Sequence, residues 1–186
     1  MSDDVNLDEM WEGGIDKDEL AQAQADLLLA KGSYVTVGPR TLSFNEEEDK
    51  YSGRPAGSVA RLFGEVVFRA REKEVQAGLA TEVGQEIARG RVGFSVSPKR
   101  VNAKDREGKD TGRPDRAFKL WMQANTAYKQ AFGQDPASKV EVLNFLRDYP
   151  EVGVYVTQYN VPTEKNPEPE GDPGNSVSSI YLPKEQ

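Results

Sequence analysis

The apolar residues of this chain alternate along one stretch, then recur every third or fourth position, then alternate again, and that order limits the folds open to it. Alternation suits strands, whose neighbouring side chains point to opposite faces; three- and four-residue steps suit a helix with one buried side. From Ser33, the segments Tyr34-Val35-Thr36-Val37 and Thr41-Leu42-Ser43-Phe44 flank a Gly38-Pro39 break and read as one bent strand or two short ones. Val59 to Phe68 reads as a second strand, and Arg91 to Ser97, stopped by Pro98, as a third. Residues 45–57 read as a loop, 69–88 as a long hairpin connection with some helix, and 99–116 as a polar loop.

Two helices follow. Asp115 is a good N-cap, and Ala117, Leu120, Trp121, Ala124, Tyr128, Ala131 and Phe132 form an apolar stripe that Gly133 ends. On that stripe Trp121 and Tyr128 read as core. Ser138 and Glu141 have capping-box spacing, Val140, Leu143, Phe145 and Leu146 give the next apolar face, and Pro150 closes it. Alternation returns from Val152 to Tyr159. Residues 162–175 are rich in Pro, Gly and acids, and Val177 to Leu182 reads as a last short strand. The predicted class is α+β, mainly β, with a helical pair between the third and fourth strands.

Composition removes whole classes of chemistry. The chain has no histidine and no cysteine, so disulfides, thiolate nucleophiles, zinc–thiolate sites and histidine bases are excluded. No phosphate loop or nucleophile elbow is present. The acid run Glu46-Glu47-Glu48-Asp49 points its carboxylates in different directions, so no metal and no cofactor is expected, and the chain reads as no enzyme. The opening Met1-Ser2-Asp3-Asp4 lacks the basic and apolar regions of a signal peptide, and Leu27-Leu28-Leu29-Ala30 is too short to span a bilayer. The expectation is a cytoplasmic protein with no membrane partner.

The net charge of −7 is unevenly spread. Residues 1–30 carry nine acids and one lysine, residues 31–162 carry a net +4, and residues 163–186 a net −3. Three regions follow: an acidic, largely disordered arm over 1–30 with a short helix from Asp16, a domain over 31–162, and a Pro/Gly/acidic linker with a short strand over 163–186. The acidic ends either keep the protein in solution or compete with a polyanion for the basic middle. Trp11, alone in the acidic arm, is either a partner-docking anchor or folds back on the domain.

This order of elements resembles the OB-fold single-stranded DNA-binding proteins, small Greek-key barrels with a helix between the third and fourth strands. The tract from Phe118-Lys119-Leu120-Trp121-Met122-Gln123-Ala124 to Phe145-Leu146-Arg147-Asp148-Tyr149-Pro150 is similar in style to small phage-encoded proteins. Bacterial single-strand-binding proteins end in an acidic tip closed by Pro-Phe. This chain ends Tyr181-Leu182-Pro183-Lys184-Glu185-Gln186, so recruitment through such a tip is not implied. The resemblance implies an OB-like barrel over roughly 33–182 and non-catalytic binding of single-stranded DNA in phage replication or recombination, in the host cytoplasm. Replication proteins would be met through the acidic arms. The alternatives are a virion or assembly structural protein and a host-directed inhibitor.

Alternation then assigns faces. With Val35, Val37, Ala60, Leu62, Val66, Val92, Phe94, Val96, Val152, Val154 and Val156 turned inward, the outward set is Tyr34, Arg61, Phe63, Arg91, Tyr155 and Tyr159. Aromatics mixed with arginines are what a base-stacking platform requires, because every base has a π-face and every nucleotide a phosphate. Alternatively, these rings are core, covered by the helical pair or by the C-terminal segment. Lys99, Arg100, Lys104 and Arg106 of the basic stretch 99–116 would contact phosphate without reading sequence, or form a solvated connection.

Overall fold

A computed structural model describes residues 27–184; Trp11 and the expected helix from Asp16 lie outside the described residues, save for that helix's end. In chain order the described elements are β1 (Gly32–Phe44), β2 (Ala60–Arg69), α1 (Glu72–Gln76), β3 (Glu86–Val96), β4 (Asn102–Lys104), β5 (Asp110–Pro114), α2 (Arg116–Phe132), α3 (Lys139–Asp148), β6 (Gly153–Tyr159) and β7 (Gly174–Tyr181). The chain is α+β and mainly β. Five strands form one sheet in the order β3-β2-β1-β6-β7, and β4 and β5 form a separate hairpin. No helix among the described residues is long and apolar enough to cross a membrane.

The chain divides into two compact units, one holding Leu29–Thr157 with Asn175–Gln186, the other including Gln158–Gly174. In the second unit Asn160 adopts a positive φ of 54°, and its side-chain amide donates to the Asp172 carbonyl at 3.1 Å.

In the larger unit α2 and α3 cover one face of the sheet. Ala60, Leu62, Val66, Val92, Phe94, Val96, Val152, Val154 and Val156 are buried, as their alternation predicts, against Leu120, Trp121, Ala124, Phe145 and Leu146. Both helix starts are capped: Asp115 accepts from the Phe118 N–H, and Ser138 from the Glu141 N–H. Gly133 ends α2 with φ 71°. The Glu141 carboxylate does not complete a capping box; it takes the Tyr128 hydroxyl at 3.0 Å and the Ala137 N–H at 2.9 Å. Leu29 touches both edges of the sheet. Its side chain lies against Gly90 of β3, and its backbone exchanges hydrogen bonds with the Asn175 amide of β7. One residue can reach both only because the sheet curls. Among the described residues the edges do not pair with each other, and no closed barrel forms.

The faces of β1 are opposite to the expected ones at its start. Tyr34 is buried and Val35 and Val37 turn away from the helices, so Tyr34 is no part of an exposed face. In Tyr-Val-Thr-Val both parities suit a core, so pattern alone cannot choose between them. The interior satisfies the polar atoms of the winning set: the Tyr34 hydroxyl donates to the Ala30 carbonyl at 2.8 Å, and the Thr36 hydroxyl accepts the Val152 N–H at 2.9 Å. The Tyr34 ring meets Phe68 edge-on at 5.5 Å. Further along, three residues of β1 (Gly38, Pro39, Arg40) stand opposite Gly64 alone, because Val37 pairs with Glu65 and Thr41 with Phe63.

Two arginines are buried. Arg40 turns inward at the bulge and donates to the carbonyls of Leu146 and Tyr149 at the end of α3, at 2.8 and 2.7 Å. Cations suit that end of a helix, although burial lowers the pKa of this guanidinium. Arg54, in the loop between β1 and β2, donates to the Lys99 carbonyl and to both oxygens of Asp115.

Candidate nucleic-acid interface

The sheet face turned away from the helices carries three distinct environments. At the end where β2 begins, the register places Phe63 between Thr41 and Gly93, and Arg61 between Ser43 and Ser95. Gly93 has no side chain to fill the space beside Phe63. A Cβ there would sit 3.2 Å from the ring, so the ring leans across the glycine, 49% exposed. Arg91 stands diagonal to Phe63 and directly opposite Glu65. Arg61 and Arg91 are both exposed and have no ion pair among the described residues. Four residues and one strand separate them, about 14 Å at a strand rise of ~3.4 Å.

Arg89, the next outward arginine on β3, is neutralised. It bonds both oxygens of Glu86, at 2.7 and 2.9 Å, and reaches Glu65 at 3.2 Å. Those hydrogen bonds raise its pKa further and lower that of Glu86. Arg89 therefore takes up the charge of Glu65 and leaves Arg91 without a carboxylate of its own. Sequence reasoning misses this triad of Glu65, Arg89 and Glu86; its one signal is the outward parity shared by Glu65 and Arg89.

The middle of the same face is closed. Val35 pairs with Val67 on one side and Gly153 on the other, Val67 is buried, and the Tyr181 ring lies directly over Gly153. Beyond it stands Tyr155, opposite Ser33 and half-buried. Tyr155 is six residues along and two strands across from Phe63, about 20 Å away at a rise of ~3.3 Å per residue. The expected continuous row of rings is thus broken. Arg61, Phe63 and Arg91 come together, Tyr155 is apart, and Tyr34 is in the core. Tyr159 lies half-exposed at the end of β6, its hydroxyl against Gly174 within the other unit.

Residues 99–116 are a hairpin, not the loop expected of so polar a stretch. Backbone bonding overrides composition here. The Asp105 carboxylate accepts the N–H groups of Glu107 and Lys109, Gly108 takes φ 79°, and the Asp115 N–H closes on the Val101 carbonyl. Lys99, Arg100, Lys104 and Arg106 are exposed on it. The Arg100 guanidinium is partly engaged by Asn102 and the Gly112 carbonyl. The Asp110 carboxyl is held below its usual range by the Gly112 N–H and the Asn102 amide. The hairpin follows β3 beyond Ser95, the level of Arg61, so both lie toward one end of the sheet. The turn from β1 to β2, at that same end, exposes Tyr51 fully, and the acids Glu46, Glu47 and Glu48 are exposed beside it.

Among the described residues no three metal-ligating side chains converge. What the open end offers is a stacking surface, two guanidinium groups without a carboxylate partner among the described residues, and a basic hairpin. The chain matches no family model, no curated protein and no solved structure.

Proposed function

We propose that the protein binds single-stranded DNA without catalysing a reaction, through the open end of its sheet, on an OB-like Greek-key scaffold. The observation that carries this reading is the pair Arg61 and Arg91, free of carboxylate partners among the described residues, on either side of the half-exposed Phe63 ring. A ring stacks on any base and guanidinium groups meet any phosphate, so such a site grips a strand with little regard to sequence. The bases of a duplex are already stacked on each other, so the ring favours a single strand. The hairpin that carries Lys99, Arg100, Lys104 and Arg106 extends the cationic track from the same end.

Connectivity lends further support. Counted within the large sheet alone, the fourth strand returns beside the first, giving the spatial order 4-1-2-3 of a Greek key, with helices between the third and fourth strands. The curl that lets Leu29 reach both edges supports this reading, since a partly open barrel requires such a curl.

Fluorescence anisotropy with a labelled single strand of about 16 nucleotides, the upper end of what one OB fold covers, and with the matching duplex tests the proposal. Tighter binding to the single strand, weakening steeply with salt, is the expected result. Absence of binding to either at low salt overturns it.

A further inference from the structure

We infer that a second site, a cleft where β1 runs out, takes a single nucleotide unit: an aromatic base together with its phosphate. This deepens the strand-binding reading and rests on it for the class of ligand. β1 begins at Gly32, where β2 has just ended at Arg69, and on the other side β6 continues past that level to Tyr159. At this end lies a cleft of about 560 Å³, lined by Lys31, Phe68, Arg71, Lys73, Leu79 and Tyr155 among others. That volume is within the range of small-ligand sites.

Its walls are of two kinds. Tyr155 is half-buried, and its hydroxyl has no hydrogen-bond partner among the described residues, so ring and hydroxyl are both available to a ligand. Phe68 also borders the cleft, from the face that buried Tyr34 shares. The Arg71 guanidinium lies 5.4 Å from the Phe68 ring centroid, so one side of that ring is taken. Arg71 is itself fixed by Glu74, which accepts from its side chain at 2.7 and 3.2 Å and from its backbone N–H at 2.8 Å. The result is a cation held in place over an aromatic wall, with little freedom left to lose on binding. Lys31 is exposed with no ion pair among the described residues, and Lys73 reaches only Glu74, at 3.8 Å. The described lining holds these three cations and no carboxylate, although Glu72 and Glu74 stand close by on α1, so the rim is positive. A half-buried aromatic ring beside a positive rim fits a base that carries a phosphate, and fits neither a bare sugar nor a neutral aromatic as well. Tyr155 therefore serves a separate site about 20 Å from Phe63.

The test is amide chemical-shift mapping of the full chain with four probes: deoxythymidine monophosphate, deoxythymidine, inorganic phosphate, and an oligodeoxythymidine of about 12 residues. The nucleotide should move the resonances of Lys31, Ser33, Lys73 and Tyr155, and bind about tenfold more tightly than the nucleoside or phosphate alone. If the oligonucleotide moves the same resonances, the unit is supplied by a strand; if only the mononucleotide does, the cleft serves free nucleotide. Either supports the site. The exposed Lys31→Glu leaves the fold intact and should weaken nucleotide binding about tenfold, and Tyr155→Ala should do the same. The site is overturned if neither the mononucleotide nor the oligonucleotide moves these resonances, or if Lys31→Glu and Tyr155→Ala both bind as the parent does. Shifts confined to Phe63 and Gly93 with the oligonucleotide would overturn the cleft and leave the strand-binding reading standing; oligonucleotide shifts at the cleft alone would support the cleft and overturn the open end of the sheet as the place where a strand binds.

Discussion

The Arg54 guanidinium meets the Asp115 carboxylate through two hydrogen bonds, at 2.6 and 2.8 Å, with the arginine side chain 1% exposed. Asp115 at the same time caps α2 by accepting the Phe118 N–H. The Lys99 carbonyl takes the remaining donors of Arg54, at 3.0 and 2.7 Å. One side chain thus ties the β1–β2 loop to the start of α2 and to the segment between β3 and β4 that leads into the basic hairpin. Arg54→Ala leaves a carboxylate and a carbonyl without partners and should cost about 3 kcal/mol. Urea unfolding of parent and variant measures this. A loss under about 1 kcal/mol would mean that water replaces the guanidinium without penalty.

At the open face, Arg61→Ala with Arg91→Ala should weaken single-strand binding and lower the slope of log affinity against log salt by about 1.4, or ~0.7 for each phosphate that is no longer neutralised. Phe63→Ala should cost about 1–3 kcal/mol in binding and leave that slope unchanged. All three side chains are exposed, so thermal unfolding should barely move. Anisotropy titrations at several salt concentrations separate the two effects.

Glu74 is buried, and hydrogen bonds from the Arg71 side chain hold its carboxyl down at about 2. A folded pKa below the unfolded one stabilises the protein above the unfolded value, and the gain is lost as pH falls. The stability gap between the parent and Glu74→Gln should therefore be full at neutral pH, shrink as pH falls from about 4.5, and close near 2. Denaturant melts across that window would show it. A gap that stays constant with pH would rule out ionisation as its source.

Gly64 faces the inward-turned Arg40, whose Cγ would lie 2.7 Å from an added Cβ. Gly64→Ala should push Arg40 off the end of α3 and destabilise the protein by about 1–3 kcal/mol. Native-state hydrogen exchange should show the extra opening concentrated in the last turn of α3. Uniform loss of protection would point to a general packing defect.

The helices were the most legible part of the chain. Asp115, Ser138 and Gly133 act locally, so residue type and spacing announce them. β2 and β3 were legible because one parity in each is plainly apolar, as in Val92-Gly93-Phe94-Ser95-Val96. The start of β1 was not, because Tyr34 and Thr36 compete evenly with Val35 and Val37, and hydrogen bonds to Ala30 and Val152 decide between them. Arg40 and Arg54 were invisible for a related reason. Their burial depends on carbonyls and a carboxylate from 45 to 109 positions away in sequence. Of the candidate site, alternation found Arg61, Phe63 and Arg91. It found none of Lys31, Arg71 or Lys73, which the end of one strand brings together. Nor could it show that Tyr181 on Gly153 closes the ground between the two clusters.

The three-against-one pairing at Gly64 sets a rule for length change in β1. The excess is two residues, an even number, so Val37 and Thr41 on either side of it face the same way. Losing a single residue between Gly38 and Arg40 would turn Tyr34 and Thr36 out to water and Val35 and Val37 under the helices, or invert Leu42 and Phe44 instead. Losing a pair would keep every face but remove the detour that carries Arg40 to α3. Insertions and deletions in this strand are therefore tolerable by twos, and a gene that drifts by one codon here forfeits the core.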